Sequence, residues 1–390
     1  MPSTTFPLKY GFNPHQASAS YTFPGRPPFK VLNGRVGTIN LMDALNSWQL
    51  VRELREAVGL PAAASFKHVS PAGAAVSVPL SEKLLRGYGF AGSELSPLAC
   101  AYLRARGADP ASSFGDFIAL SDVVDEATAR ILALVVSDGV IAPGYEPAAL
   151  EALKAKKKGE FIVLEADPGY EPPTEEEREV YGVRLRQARN NLKITRAHLE
   201  PRVSQNRELP ESAVRDLLVG LITLKYTQSN STGYARDGQM IGVGAGQQSR
   251  VDCTKLAGRK ADLWFLRQHD KVLGLQFKKE VKRQERINWS QRYVEGDMTE
   301  MEAREFAAQL DGAAPPLSAE EKAGWLGRLR DVSFASDAFL PFRDNVDHAA
   351  RHGVRYIAHT GGSLRDEEVT RAGDEYGMVM IHTGVRLFHH

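Results

Sequence analysis

The sequence predicts an α/β protein made of two similar units, with a helical insertion in the second. Three observations carry that prediction. Short apolar runs alternate with stretches of helical spacing, one set of residues recurs 222 positions later, and Lys271 to Arg330 is rich in charge and poor in strand formers. The chain has 390 residues, enough for two or three self-supporting cores. Its 49 Lys+Arg nearly cancel 48 Asp+Glu, and the formal charge of +1 excludes a general polyanion binder. With 43% hydrophobic and 25% charged residues the composition is that of a globular protein. Cys100 and Cys253 lie far apart and neither belongs to a C-x-x-C pair, so zinc-finger and thioredoxin readings lack their ligands, and a reduced, cytoplasmic setting is expected. The N-terminal MPSTTFPLKYGF has no charged segment followed by an apolar one, and no run is long enough to span a bilayer, so neither export nor membrane insertion is expected.

The elements follow in order. The first forty residues, rich in Pro, Gly, Asn and aromatics, predict irregular chain or edge strands, and Leu41 to Ala57 has helical apolar spacing. Ala62 to Phe66, Phe117 to Ser121, Ile131 to Ser137 and Phe161 to Ala166 read as short buried strands, with helices at Ser93 to Arg106 and Pro147 to Lys158. Alternation of this kind favours α/β layers. Phe117, Asp122, Val124, Asp125 and Ala127 then recur as Phe339, Asp344, Val346, Asp347 and Ala349, and each copy precedes a strand, a Gly-containing turn, a helix and a second strand. Duplication is inferred, with units at 1–200 and 201–390 and a helical insertion around 270–330. The basic run Lys278 to Arg286 is broken by Glu280 and Glu285 and followed by acidic helices, which makes it a solvated helix face rather than a nucleic-acid arm.

Four segments could carry chemistry. In Ser65 to Ala75, Lys67 and His68 follow an apolar strand and enter a Gly/Ala-rich turn, read as a strand-to-helix turn. There a cation could stabilise developing negative charge while an imidazole removes a proton; a surface Lys beside a hydrogen-bonded His is the plainer alternative. Lys225 to Ser231 is a run of hydrogen-bonding side chains after Leu217 to Leu224, itself strand or helix, and either caps the next element or lines a polar site. In Gly242 to Arg250 glycines allow backbone amides to approach an anion beside Arg250, but Gln247 occupies the third glycine position of a dinucleotide fingerprint. Asp337 to Asn345 places Phe339 and Phe342 around a proline among carboxylates and an amide, suited to a flat aromatic ligand or to a core-facing pair with a helix cap. The terminal Arg386 to His390 continues a strand pattern and is taken as native.

Together these strings resemble the AICAR transformylase family, the formyltransferase domain of the bifunctional enzyme that also carries IMP cyclohydrolase; AICAR is 5-aminoimidazole-4-carboxamide ribonucleotide. The resemblance rests on Leu8-Lys9-Tyr10-Gly11-Phe12-Asn13-Pro14-His15-Gln16, SFKHVSPAGAA, SDGVIAPGYE, KYTQSNS, GVGAGQQSR, SDAFLPFRDNVD and the RLFHH end, and it covers essentially the whole chain. It implies two cytidine-deaminase-like α/β units, although the H-x-E and P-C-x-x-C strings of zinc deaminases are absent and no metal is implied in catalysis. Because bifunctional members carry the cyclohydrolase ahead of the first string, the resemblance implies a stand-alone transformylase, with ring closure by another polypeptide. The implied reaction passes a formyl group from the co-substrate 10-formyltetrahydrofolate to the 5-amino group of AICAR.

By the same resemblance His68 would be the base, Lys67 would stabilise the oxyanion or protonate the leaving nitrogen, and Asn230 would orient the formyl group or the carboxamide. Lys9, Tyr10 and Arg386 would hold the phosphate, with Gly115, Asp138, Arg250 and Phe339 on base and ribose. Val251, Phe342, Asp344, Asn345 and Ser363 would lie on the folate side. Lys9 departs from the Arg common in the family, which keeps the charge but loses forked hydrogen bonding. The resemblance further implies a homodimer with interface active sites, allows a structural potassium ion near Thr227 to Ser231, and gives no nucleic-acid or membrane partner. Two rivals are weighed: a deaminase-like hydrolase, which lacks metal ligands, and a non-catalytic nucleotide or folate binder, which has no need of a proton-transfer pair.

Overall fold

The structure, a computed structural model, describes residues 4–16 and 18–390. A short ribbon, β1 (Thr5–Pro7) with β2 (Ser20–Thr22), precedes the edge strand β3 (Phe29–Asn33), and Phe6, Tyr21, Phe23 and Phe29 cluster over their junction. Helix α1 (Thr38–Val58) buries Leu41, Ala44, Trp48, Val51 and Leu54, the 3.6-residue stripe that the sequence shows. It ends at Gly59, whose φ of 77° suits glycine and turns its N–H back to Arg55 O. The first half continues through β4 (Ala62–Lys67), β5 (Ser70–Val76), α2 (Glu82–Tyr88), α3 (Pro97–Ala108), β6 (Asp116–Leu120), α4 (Glu126–Ala133), β7 (Ser137–Ala142), α5 (Pro147–Ala155) and β8 (Ile162–Ala166). An exposed ribbon, β9 (Glu175–Val180) with β10 (Val183–Ala188), separates it from α6 (Glu211–Lys225), β11 (Thr232–Arg236), β12 (Gln239–Gly244) and α7 (Arg250–Leu266). The helices α8 (Asp270–Leu273), α9 (Arg283–Glu295), α10 (Glu300–Ala308) and α11 (Ala319–Leu326) form the expected helical segment. The chain closes with β13 (Val332–Ser336), α12 (Asp344–Ala350), β14 (Val354–His359), α13 (Asp366–Glu375) and β15 (Val379–His382).

One mixed sheet of 11 strands runs through the molecule in the order β15-β14-β13-β11-β12-β5-β4-β6-β7-β8-β3, confirming the α/β class. The runs β5-β4-β6-β7-β8 and β12-β11-β13-β14-β15 share one pattern of senses: two antiparallel pairings, then two parallel ones. They meet where β5 pairs with β12 at Ala75 and Gln239. The offset between β6 and β13, β7 and β14, or β8 and β15 is 216 or 217 residues, read from their first residues. The 222-residue echo is therefore out of structural register: Phe117 is inside β6, whereas Phe339 lies beyond β13. Strand order and sense recur, but those five identities do not mark equivalent positions.

Helices α1 and α6 cover one face of the sheet, sharing a core with Ala64, Phe66, Phe117 and Ile381. The opposite face carries α3, α4 and α5 over the first half and α7, α12 and α13 over the second. Helix α6, enclosed between α1 and the sheet, is buried on nearly all sides, which explains why Leu217 to Leu224 lacks a polar face and left helix and strand undecided. Ile131 to Ser137 is corrected. Asp125 Oδ1 accepts the Thr128 N–H at 2.7 Å and starts α4, whose buried face takes Ile131 and Leu132, so the strand begins only at Ser137.

Helices α3 and α7 lie unusually close to the strands below them. A Cβ on Gly73 of β5 would stand 2.1 Å from Ala105 O, and one on Gly242 of β12 2.1 Å from Ala257 O. These glycines are there to let helix backbone touch strand backbone. Gly73→Ala or Gly242→Ala is expected to destabilise the protein by at least ~2 kcal/mol, read as a lowered urea midpoint, because backbone cannot yield as a side chain can. Gly144→Ala, where the new Cβ meets only a Val123 methyl at 3.5 Å, is the neutral control.

Candidate active site

The register of the sheet collects the candidate residues at one edge. Lys67 and Ser70 pair at the tip of the β4–β5 hairpin, Asp116 and Ser137 open β6 and β7 there, and Gly244 closes β12 beside Thr232 and Ser336. The expected strand-to-helix turn after Lys67 is instead a two-residue hairpin turn. His68 and Val69 occupy it with φ of 53° and 60°, a conformation that glycine and asparagine favour and a β-branched residue resists. A buried acceptor holds it in place: Asp43 Oδ1, on α1, takes the Val69 N–H at 2.6 Å. His68 is thrust into solvent, while Lys67 is half-buried and its ammonium donates to the Phe114 carbonyl. Beyond it lies Gly115, at φ 73°, where a side chain would approach the Lys67 ammonium.

Burial pushes the Asp43 carboxyl up to about 6, and the charges of Asp138 and Asp116 act the same way, against the hydrogen bonds from Val69 and His68. A carboxyl with a raised folded pKa binds protons in the native state that the unfolded chain has released. The stability it contributes is full below the usual carboxylate pKa and lost as pH rises through about 6, a loss of about 3 kcal/mol. Asp43→Asn keeps an acceptor for Val69 and is expected to remove this fall, so that its urea midpoint exceeds that of the wild type at pH 7.5 and not at pH 4. Asp43→Ala leaves the Val69 N–H unpaired and is expected to lower the midpoint at both.

Tyr10 and Asp138 are brought together around Asn40, a residue the sequence reading missed. Tyr10 Oη donates to Asn40 Oδ1 at 2.6 Å, Asn40 Nδ2 donates to Asp138 Oδ2 at 3.5 Å, and Lys157 pairs with Asp138 Oδ1 at 2.6 Å. Lys9 reaches Glu160 at 3.4 Å. The one sequence signal for this cluster was Gly37, at whose Cβ position the Tyr10 ring packs.

A second cluster forms across β11, α7 and β13. Arg250, the first residue of α7, is buried; it pairs with Asp337 and donates to Asn230 Oδ1 at 2.7 Å. Asn230 Nδ2 reaches the carbonyls of Gln247 and Gln248, both at 3.1 Å. Asp337 Oδ2 also receives the Ser229 and Ser231 hydroxyls at 2.7 and 3.0 Å, an all-oxygen set of the kind an alkali cation takes, although Arg250 already balances the carboxylate. Val251 is half-buried on α7. Phe339 and Phe342 are both exposed, not core-facing. At the start of α12, Asn345 is buried between Asp344 and Thr254, while Ser363 sits in a turn closed by Asp366. The Leu387 N–H donates to Asp337 O at 2.7 Å and fixes the exposed Arg386 to this cluster.

His359 was also missed. Burial, with His382 and Arg250 beside it, lowers its pKa to about 3, and Nδ1 accepts from Leu340 and Gly361, so the ring is neutral with its proton on Nε2. Among the described residues no group of three or more His, Cys, Asp and Glu side chains could hold a metal ion, and no helix is long and apolar enough to cross a membrane.

With this geometry in place, the comparison with known proteins is specific. A family model described as AICARFT/IMPCHase bienzyme matches residues 2–260. The chain belongs to that family. Curated relatives of the AICARFT/IMPCHase family named bifunctional purine biosynthesis protein PurH are 32% identical, from Cereibacter sphaeroides over 388 residues and from Magnetococcus marinus over 393. The match takes in 98% of this chain and 59% of each relative, so the chain spans less than two thirds of the proteins it resembles.

Proposed function

We propose that this chain transfers a formyl group from 10-formyltetrahydrofolate to the 5-amino group of AICAR, giving the formamido nucleotide and tetrahydrofolate. The observation that carries the proposal is the hairpin tip: an exposed imidazole and a neighbouring ammonium held at one sheet edge by a turn that strains the backbone. The amine's lone pair is delocalised into the imidazole of AICAR, so attack requires proton removal together with stabilisation of the tetrahedral oxyanion. His68 takes the amine proton as the new C–N bond forms. Lys67, leaving the Phe114 carbonyl, faces the oxyanion, and the bond to the folate N10 then breaks with a proton delivered to that nitrogen. Asn230, whose amide spans the Gln247–Gln248 turn, orients the formyl group or the carboxamide once a ligand displaces one of these bonds.

Lys9 and Tyr10 meet the nucleotide phosphate, and Gly115 leaves its backbone open to the base beside Asp138. Arg250 and Phe339 complete base and ribose contacts; Val251, Phe342, Asp344, Asn345 and Ser363 take the folate. A potassium ion, where bound, would be held by Ser229, Ser231 and Asp337 and would brace the loop, while Arg250 balances the carboxylate. Recurrence of strand order supports two cytidine-deaminase-like units divided near residue 200. Two free thiols support a reducing, cytoplasmic setting.

Sheet geometry supports a homodimer with shared sites. Lys9 stands by Glu160 at the mouth of β8, Arg386 is tied to the end of β13, and seven strand spacings separate these. At 4.7–4.9 Å each that is roughly 33 Å along the sheet, beyond the combined reach of the two side chains. One phosphate can meet both only if they come from different copies.

The deciding experiment is an absorbance assay for tetrahydrofolate release with AICAR and 10-formyltetrahydrofolate. Absence of turnover in folded protein that binds AICAR would overturn the reading. Lys9→Arg is expected to lower the AICAR KM a few-fold through forked hydrogen bonding, with kcat little changed; a sharp rise in KM would remove Lys9 from the phosphate site.

A further inference from the structure

A cavity of about 530 Å³ lies between the C-terminal ends of α2, α3 and α7 and the first turns of α9, and none of the residues assigned to formyl transfer lines it. Five arginines do: Arg86, Arg106, Arg267, Arg283 and Arg286, with no Asp or Glu among the lining residues. Arg106 pairs with buried Asp116 at 2.8 Å. The other four form no ion pair among the described residues. Arg267 is held instead by the carbonyls of Gly107 and Ala108 at 2.8 and 2.9 Å, and Arg283 by those of Tyr88 and Gly89 at 2.6 and 3.1 Å. Arg286 likewise bonds the Val281 and Lys278 carbonyls.

Neutral acceptors fix these guanidiniums in direction, and the carboxylate that acts on Arg267, Asp109, is already paired with Lys260. Burial lowers the pKa of both Arg267 and Arg283, and Arg106 adds repulsion at Arg283. Concentrating cations against apolar surface is unfavourable unless an anion joins them. The first turns of α9 line the same space and add the positive end of a 13-residue helix. The remaining wall is apolar and aromatic, with Phe90, Leu103, Val135, Phe277 and Ile287. The volume falls in the range of small-molecule sites.

We propose that this cavity binds an organic phosphate with a flat or apolar body, its phosphate forked by the arginines and its body against the Phe277–Ile287 wall. The inference does not rest on formyl transfer, because binding is read directly. The probe is adenosine monophosphate, titrated calorimetrically into the intact protein alongside adenosine and inorganic phosphate, with variants at the cavity rim separating this site from the AICAR site.

Saturable binding is expected at one molecule per chain, at least tenfold tighter than either fragment. Arg86→Glu reverses an exposed charge at the rim, and Leu134→Glu adds a carboxylate from a different, exposed lining position. Each is expected to weaken adenosine monophosphate at least tenfold while leaving formyl transfer without it unchanged. No saturable binding at millimolar concentration, equal affinity in both variants, or inorganic phosphate binding as tightly as the nucleotide would each overturn the proposal.

Discussion

Replacing His68 is expected to reduce tetrahydrofolate release by at least ~10²-fold, the scale of a lost general base, while AICAR binding persists. Because the residue sits at φ 53°, alanine there would disturb the turn as well as delete the imidazole. His68→Asn separates the two effects, since asparagine tolerates this conformation and supplies no base at neutral pH. The side chain is exposed and makes no packing contribution, so His68→Asn should melt close to the wild type. Lys67→Met retains the aliphatic stem beside Phe114 and removes the charge; a loss of about 10²-fold in kcat with little change in AICAR affinity is expected if the ammonium serves the oxyanion. A His68→Asn protein that keeps more than a tenth of wild-type kcat would remove the imidazole from the mechanism, whatever the fold.

Mixing two inactive proteins is expected to restore activity. Lys9→Ala disables the β8 side of a site and Arg386→Ala the β13 side, and the seven strand spacings between these two groups place them in different copies of any one site. In a random mixture half the dimers are mixed, each with one intact site and one doubly altered, so about a quarter of wild-type activity should appear after subunit exchange. Mixing His68→Ala with Lys67→Ala should restore nothing, because both changes fall on the same side. Recovery in that second mixture, or none in the first, would refute the shared-site arrangement. Arg386 suits the test because it is exposed and makes no ion pair among the described residues.

Much of the fold was legible along the chain. The stripe Leu41, Ala44, Trp48 and Val51 is a helical period that can bury only one face, and Ala62 to Phe66 is apolar on both faces, as a central strand must be. The run at Ile131 failed because a short apolar stretch reads the same in either conformation, and the cap at Asp125 was given no weight. The echo of Phe117 in Phe339 failed for a different reason: five matches can arise five or six residues out of register, while the true correspondence resides in strand senses that no residue identity records.

The candidate site divides the same way. Lys67 and His68 were visible as a pair, but their hairpin was not, because a turn of two non-glycine residues at positive φ contradicts local preference and stands only where tertiary contacts enforce it. Asp43 supplies one such contact from 26 residues away, and Asn40 reaches Tyr10 across 30 residues and Asp138 across 98, so neither had a local signature.

By itself, then, the order of residues determined the α/β class, the helical segment before β13 and the types of side chain available for chemistry, since these depend on periodicity and composition over a few turns of chain. Only the tertiary structure decided which carboxylate braces the His68 turn, which arginines face a common cavity and how far Lys9 stands from Arg386. Those are distances between segments remote in sequence, set by sheet order and helix packing rather than by any local preference.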